Sequence, residues 1–192
     1  MKLVFATNNQ NKIKEIQQKI SDKFTLLSLE DINFNSEPEE TGTTFRENAL
    51  IKAKSIWNQL HINCFAEDSG LVIDSLNGEP GINSSHYSGE RNNKKNIEKV
   101  LLKLAENQNR KAYFNTTIAL ILEGKEYFFE GQIEGQITHK PIGENGFGYD
   151  PIFIPTGFNK TFAQMTKEEK NTMSHRGIAT EKLMIFLQSY GN

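Results

Sequence analysis

The sequence has 192 residues, of which 36% are hydrophobic and 24% charged; this is an ordinary globular composition, long enough for one well-buried domain. Its 22 basic and 24 acidic residues give a net charge of −2, so composition provides no general attraction to nucleic acid or to an anionic membrane. The single cysteine, Cys64, excludes an internal disulfide. No signal peptide is visible, and no apolar run approaches the roughly 20 residues that span a bilayer. We therefore expect a cytoplasmic protein.

The first predicted unit of structure is a strand, a polar loop and a helix. Residues 3–6 form a short apolar run, the loop Thr7–Lys12 follows, and isoleucines then recur at helical spacing. The free amides at such a helix start can hold an anion, and Lys12 adds a positive charge there although it opposes the helix dipole. The alternative is that Asn8 and Asn9 only cap the helix.

An acidic loop follows the second predicted strand, which covers residues 24–29. Glu37, Glu39 and Glu40 lie within four positions, so they repel one another unless solvent or a cation relieves the repulsion. A solvated loop is the simpler interpretation, and metal ligation by one of these carboxylates is the more specific one.

A long helix is predicted after this loop. Thr44 and Glu47 have the spacing of a capping box, which places Thr44 at the N-cap, and apolar residues recur along one stripe as far as Leu60. Asn48 and Lys52 are four residues apart and therefore share a face of the helix. A plain surface lysine is the alternative for Lys52.

The stretch Phe65–Asp74 predicts an apolar strand that stops at Glu67 and Asp68, turns at Ser69-Gly70 and then resumes. Adjacent residues of an extended segment point to opposite faces, so the two carboxylates cannot share one surface. A carboxylate beside a glycine that lets a ligand approach suits a metal ion or a general base. The alternative is a tight turn in which Asp68 caps main-chain amides.

The middle of the chain predicts a turn over residues 78–81, a loop over residues 83–89 and then an amphipathic helix that contains Ile97–Leu104. Two long strands follow, over residues 112–122 and 126–137. Because only the short turn Glu123–Lys125 joins them, we expect a hairpin.

A glycine-rich segment, Pro141–Pro151, surrounds one aromatic side chain. Gly146 and Gly148 flank Phe147 and leave a face of its ring open, which suits stacking on a planar ligand. Asp150 precedes a proline, which favours an extended backbone, and its carboxylate can accept hydrogen bonds from the edge of a base. The alternative is an exposed hairpin tip.

The last part of the chain predicts a short edge strand between prolines over residues 151–155, a helix capped by Thr166, and a final helix. Lys170, His175 and Arg176 concentrate hydrogen-bond donors at the junction of the two helices. These donors can meet a carbonyl or a phosphate, and a purely structural His-Arg pair is the alternative.

Taken in order, six of these motifs resemble those of the inosine triphosphate pyrophosphatases, also called dITP/XTP pyrophosphatases. The resemblance spans residues 2–190. Its motifs are Thr7-Asn8-Asn9-Gln10-Asn11-Lys12, Glu39-Glu40-Thr41-Gly42, Glu47-Asn48-Ala49 with Lys52-Ala53, Glu67-Asp68-Ser69-Gly70, Phe147-Gly148-Tyr149-Asp150-Pro151 and Ser174-His175-Arg176-Gly177. The resemblance implies an α/β fold with mixed sheets and flanking helices, arranged as two lobes of a single domain over residues 1–192 around a central nucleotide cleft. It also implies a homodimer that hydrolyses ITP, dITP and XTP to the monophosphate and pyrophosphate with Mg²⁺, which removes these nucleotides from the pool.

The same resemblance assigns roles to individual residues. Asp68 would be a metal ligand and the general base for the attacking water, and Glu39 a second carboxylate on the metal side. The triphosphate would be held by Thr7, Asn8, Asn9, Lys12, Lys52 and Lys170. The remaining substrate contacts would come from Ser69, from Phe147 stacked on the purine with Gly148 and Tyr149 beside it, and from Asp150, His175 and Arg176 at the edge of the base.

Three positions depart from the usual pattern of that family. Asn8 replaces a glycine, Glu67 stands where a second aspartate is common, and Ser85-His86 replaces Ala-Arg. The last change leaves the role of His86 open. Two other functions remain compatible with the motifs: a nucleotide pyrophosphatase of broader specificity, and a nucleotide-binding sensor without hydrolysis.

Overall fold

The structure, a computed structural model, describes residues 1–17, 20, 23–36 and 38–190. The helices and strands follow one another in the order β1 (Lys2–Phe5), α1 (Gln10–Gln17), β2 (Thr25–Leu27), α2 (Phe45–Leu60), β3 (Cys64–Ile73), α3 (Asn93–Leu104), β4 (Lys111–Leu122), β5 (Lys125–Ile137), β6 (Phe153–Pro155), α4 (Lys167–Met173) and α5 (His175–Tyr190). Residues 18 and 19, through which the first helix was predicted to continue, and Glu37 lie outside these ranges. No helix in the described ranges is long and apolar enough to cross a membrane.

The strands form a mixed sheet. Its order over the described residues is β2-β1-β3-β4-β5-β6. β1 runs parallel to β2 and to β3, whereas β5 and β6 are antiparallel. This confirms the predicted α/β fold with mixed strand directions. The edge strand predicted over residues 151–155 is confirmed only for Phe153–Pro155, because Asp150–Ile152 forms a 3₁₀ helix.

Local signals in the sequence determine several element ends. Thr44 Oγ1 accepts the Glu47 N–H at 3.1 Å while Glu47 Oε2 accepts the Thr44 N–H at 3.1 Å, so the predicted capping box starts α2. Thr166 starts α4 in the same way. Glu123 and Gly124 both have positive φ, the conformation that a two-residue hairpin turn requires, and they join β4 to β5 as predicted.

Two predictions about local structure are wrong. β3 does not stop at Glu67 and Asp68, because Ser69 and Gly70 continue the same strand. β3 lies between β1 and β4, whose main-chain groups pair with it, and this pairing outweighs the turn preference of a Ser-Gly dipeptide. The first part of the loop predicted over residues 83–89 belongs to a 3₁₀ helix, Gly81–His86.

The chain forms two compact units, each with its own core. Unit 1 comprises the described residues of 1–68, 116–131 and 177–192, and unit 2 comprises 69–115 and 132–176. The core of unit 1 includes the stacked rings of Phe5 and Phe65, whose centroids lie 4.5 Å apart. The core of unit 2 is built around Phe114 and Phe153, with centroids 4.7 Å apart in an edge-to-face arrangement.

Candidate active site

The loop after β1 is organised by an asparagine cap. Asn9 Oδ1 accepts the main-chain N–H groups of Asn11 at 3.0 Å and Lys12 at 3.4 Å, and the Asn9 N–H donates to Thr7 Oγ1 at 3.2 Å. Asn8 is exposed. The capping interpretation is therefore correct for Asn9, and the anion-binding role of the loop stays a prediction.

The two carboxylates of β3 form separate ion pairs with two lysines. Glu67 Oε1 lies 2.9 Å from Lys12 Nζ, and the Glu67 side chain is fully buried. Asp68 Oδ1 lies 2.8 Å from Lys52 Nζ. Adjacent side chains of a strand point to opposite faces, so the sequence predicted that these two acids would not share one surface. Their contacts with different lysines agree with that prediction.

Asp68 is a buried carboxylate with unused hydrogen-bonding capacity. Lys52 Nζ contacts Glu40 Oε2 at 3.2 Å as well as Asp68 Oδ1, so Lys52 joins the two acids. Burial raises the pKa of Asp68, the charge of Lys52 opposes this rise, and the charge of Glu40 adds to it. Asp68 Oδ2 is buried and has no hydrogen-bond partner. This oxygen is free to bind a cation or to accept a proton.

The acidic residues of unit 1 fit a magnesium ion only if the substrate completes the coordination. In the part of the chain that the structure describes, no group of three or more His, Cys, Asp or Glu is arranged to hold a metal. Mg²⁺ sites on nucleotide enzymes use one or two carboxylates, with phosphates and water as the other ligands. The free oxygen of Asp68 and a carboxylate of the neighbouring acidic loop meet that requirement.

The acidic loop contributes a residue that sequence reasoning did not select. Both Glu39 and Glu40 are exposed, and it is Glu40 that makes the ion pair with Lys52. Glu39, assigned to the metal side by resemblance, accepts the Thr41 N–H at 3.1 Å through its main-chain carbonyl. The charge of Glu40 beside Lys52 could not be read from spacing, because the two residues are twelve positions apart.

In unit 2, Asp150 shapes the loop that presents Phe147. Its Oδ2 accepts the Phe147 N–H at 2.8 Å and lies 2.7 Å from Lys170 Nζ, and both charged side chains are buried. A Cβ on Gly146, which has a positive φ, would lie only 2.0 Å from the same oxygen. Glycine is therefore needed at this position. The predicted contact of Asp150 with a base edge stays a prediction.

The ring of Phe147 is half-buried and has cations beside it. Lys170 Nζ lies 4.8 Å and Arg176 Cζ 5.4 Å from its centroid. Arg176 Nη2 also donates to Ser69 Oγ at 3.4 Å. An aromatic face next to cationic donors suits a flat ligand that carries carbonyl oxygens.

His175 and Tyr149 are held inside unit 2. The His175 ring stacks on Phe114 with centroids 4.6 Å apart and an interplanar angle of 9°. The Tyr149 hydroxyl donates to the Ser84 carbonyl at 2.8 Å, and burial raises the pKa of this tyrosine. The imidazole is thus oriented by packing, and the phenol of Tyr149 is used within the protein.

The candidate residues therefore fall into two sets. The acid-lysine set in unit 1 comprises Lys12, Glu40, Lys52, Glu67 and Asp68, with the Thr7–Lys12 loop supplying Thr7, Asn8 and Asn9. The Phe147 set in unit 2 comprises Ser69, Phe147, Gly148, Tyr149, Asp150, Lys170, His175 and Arg176.

Comparison with known proteins places these motifs in a family context. A sequence profile of the Ham1 family matches residues 3–186. The chain is 50% identical over 188 residues to the dITP/XTP pyrophosphatase of Flavobacterium johnsoniae, covering 97% of this chain and 98% of that relative. It is 44% identical over 191 residues to the dITP/XTP pyrophosphatase of Bacillus subtilis, covering 97% and 96%. The solved structure of the Staphylococcus aureus Ham1 protein matches with a TM-score of 0.92 at 39% identity, covering 99% of this chain and 100% of the other.

Proposed function

The chain belongs to the Ham1 family, and on that premise we propose that it hydrolyses the non-standard purine nucleotides ITP, dITP and XTP to the monophosphate and pyrophosphate. The name dITP/XTP pyrophosphatase, carried by relatives that are aligned over nearly their full length, supports this activity. The observation that carries the proposal is Asp68, a buried carboxylate paired with Lys52 through one oxygen while the other oxygen has no partner.

The acid-lysine set is the proposed place for the triphosphate. We assign the Thr7–Lys12 loop and Lys52 to the phosphates, and Asp68 with Glu39 or Glu40 to Mg²⁺. Lys12 and Lys52 already neutralise carboxylates, so together they bring little excess positive charge to a triphosphate. Bound Mg²⁺ would supply the missing charge neutralisation on the phosphate oxygens.

The proposed reaction requires a base next to the attacking water. Asp68 Oδ2 accepts a proton from that water while the water oxygen bonds to the α-phosphorus. The bond between the α-phosphorus and the oxygen that bridges it to the β-phosphorus breaks, and pyrophosphate leaves. Burial raises the pKa of Asp68 and strengthens it as a base, while the charge of Lys52 opposes this rise and favours the ionised form.

The Phe147 set is the proposed place for the purine. Phe147 would stack on the base, and Arg176 or His175 would donate to the 6-oxo group that hypoxanthine and xanthine share. Adenine has an amine at this position, and the unmatched donors would cost roughly 1–3 kcal/mol. Lys170 was assigned to the triphosphate by resemblance, but its contacts with Asp150 and the Phe147 ring favour a role beside the base.

Pyrophosphate release from a panel of ITP, dITP, XTP, GTP, dUTP and ATP, with and without Mg²⁺, tests the proposal. We expect turnover of the first three, loss of turnover with a chelator, and much slower hydrolysis of ATP. Equal turnover of GTP and ITP would favour the broader pyrophosphatase. Tight ITP binding without pyrophosphate release would favour the sensor.

A matched pair of variants assigns the chemistry to Asp68. Asp68→Asn should bind ITP yet lose nearly all hydrolysis, because the amide is neither a base nor an anionic ligand. Asp74→Asn, an exposed residue just beyond the same strand, should behave like the wild type. Retained turnover in Asp68→Asn would refute the assignment.

Two further proposals are tested separately. Light scattering tests whether the protein is a homodimer, and the cooperativity of unfolding tests whether residues 1–192 act as one domain.

A further inference from the structure

We propose that Asn48 is a positioning residue that holds the acidic loop, Glu39–Gly42, at the start of α2 and so keeps the Glu40 carboxylate next to Lys52, the partner of Asp68. This inference rests on the proposed function, because it concerns the carboxylates assigned to Mg²⁺. Asn48 itself has no proposed contact with substrate or metal.

Asn48 is a polar side chain buried in the first turns of a helix. It is only 2% exposed, and its Oδ1 accepts the main-chain N–H of Gly42 at 2.8 Å. A buried amide in a helix is unfavourable unless its hydrogen bonds are made, and asparagine is not a strong helix former. A residue at this position therefore needs a specific partner, and the Gly42 N–H is that partner.

The contact with Gly42 is built for close approach. A Cβ on Gly42 would lie 2.6 Å from Asn48 Oδ1 and 2.6 Å from Glu47 Cβ, and both distances are shorter than side chains tolerate. Glycine is required here because the loop backbone lies directly on the helix surface, not because of an unusual φ. The acidic loop is thus fixed at its main chain.

The helix cap does not explain Asn48. Thr44 and Glu47 satisfy the helix start by themselves, since Glu47 Oε2 accepts the N–H groups of Thr43 at 2.7 Å and Thr44 at 3.1 Å. Asn48 instead reaches back six residues, beyond the cap, to the end of the acidic loop. The hydrogen bond between Asn48 and Gly42 therefore restrains the position of the acidic loop and is not needed to cap the helix.

One face of α2 then arranges all the groups concerned. Lys52 follows Asn48 by one helical turn and contacts both Glu40 Oε2 at 3.2 Å and Asp68 Oδ1 at 2.8 Å. Asn48 thus anchors the main chain of the acidic loop at Gly42, and Lys52, one turn further along α2, holds the Glu40 carboxylate of the same loop. Loss of the first anchor should leave the loop attached through Lys52 alone, with its acids free to move away from Asp68.

Asn48→Leu tests this role because leucine keeps the size of the side chain but removes the acceptor. We expect the Mg²⁺ concentration for half-maximal ITP hydrolysis to rise about 10-fold or more, the usual effect of losing a residue that orients a metal ligand. Turnover at saturating Mg²⁺ should fall much less. In the metal-free protein, hydrogen exchange of residues 39–44 should become faster, and this readout does not depend on activity.

Two further variants separate positioning from general damage to the helix. Asn48→Asp keeps the acceptor, so exchange and Mg²⁺ dependence should stay near those of the wild type. Asn58→Leu makes the same change at an exposed position of α2 and should alter neither. If Asn48→Leu does not fold, Gly42→Ala attacks the same contact from the loop and should give the same rise in Mg²⁺ requirement.

The outcomes that overturn the inference differ from those that overturn the proposed function. An unchanged Mg²⁺ requirement or unchanged exchange in Asn48→Leu, a defect in Asn48→Asp equal to that of Asn48→Leu, or an equal effect in Asn58→Leu would each refute the positioning role. Absence of ITP hydrolysis in the wild type would refute the proposed function. The exchange experiment would still show whether Asn48 holds the loop.

Discussion

Removal of the Phe147 ring is the most direct test of the site proposed for the purine ring of the substrate. The perturbation is Phe147→Ala, which deletes the half-buried ring but leaves the surrounding groups attached to other partners. Lys170 remains bound to Asp150 at 2.7 Å, and Arg176 keeps its hydrogen bond to Ser69 Oγ at 3.4 Å. The variant should therefore lose the stacking contact while the donors stay close to their present positions.

The size of the effect follows from the stacking energy. Stacking of a base on an aromatic side chain contributes about 1–3 kcal/mol, which corresponds to roughly a 5- to 150-fold change in an equilibrium constant. Stacking is present in both the ground state and the transition state, so this loss should appear as a higher KM for ITP, with kcat changed little. Phe147→Trp retains a larger aromatic face, and its KM should be equal to or below that of the wild type.

Steady-state kinetics with ITP at saturating Mg²⁺ measure both constants. Phe158→Ala is the matched control, because Phe158 is another partly exposed phenylalanine of unit 2, with 48% of its surface accessible. Its kinetics should equal those of the wild type. A fall in kcat with unchanged KM in Phe147→Ala, or an equal defect in Phe158→Ala, would refute the stacking role.

Three other predictions concern charge and burial. Lys52→Met removes the cation that lowers the pKa of Asp68, so the acidic limb of the profile of kcat/KM against pH should move to higher pH. The control Lys54→Met removes another lysine of α2, which forms an exposed ion pair with Glu126, and should leave the acidic limb in place. A shift of the acidic limb to lower pH in Lys52→Met would contradict this prediction. Burial raises the pKa of the Cys64 thiol to about 12, so a thiol reagent at pH 8 should react only when denaturant is added, and rapid reaction of the native protein would show that this site opens. The side chain of Arg110 donates hydrogen bonds to four main-chain carbonyls. Arg110→Met should therefore lower the free energy of unfolding, measured by urea titration, by about 3 kcal/mol. A decrease below about 1 kcal/mol would show that water replaces these hydrogen bonds.

Local features of this protein were predictable because their causes lie within a few residues. Thr44 and Glu47 form their capping box with groups that are three positions apart, and Glu123-Gly124 closes a hairpin by its own backbone conformation. The motifs of the family likewise selected Asp68 and Phe147 as candidates, and their roles stay predictions. The alternation of side chains along a strand predicted that Asp68 and Glu67 would not share one surface, and the two acids contact different lysines. Neither inference required knowledge of what packs against the strand.

Contacts across long sequence distances were decided only by the tertiary structure. Ser69-Gly70 continues a strand because strands from other parts of the chain pair with it, although the dipeptide alone favours a turn. The pairing of Lys52 with Glu40 and Asp68 likewise depends on where α2 and β3 lie, since these acids are 12 and 16 positions away from the lysine. The sequence alone thus determined which chemical groups are available and those element ends that short-range signals specify, such as the capped start of α2. Packing decided which acid each lysine neutralises, because an ion pair depends on distance in space and not on separation along the chain.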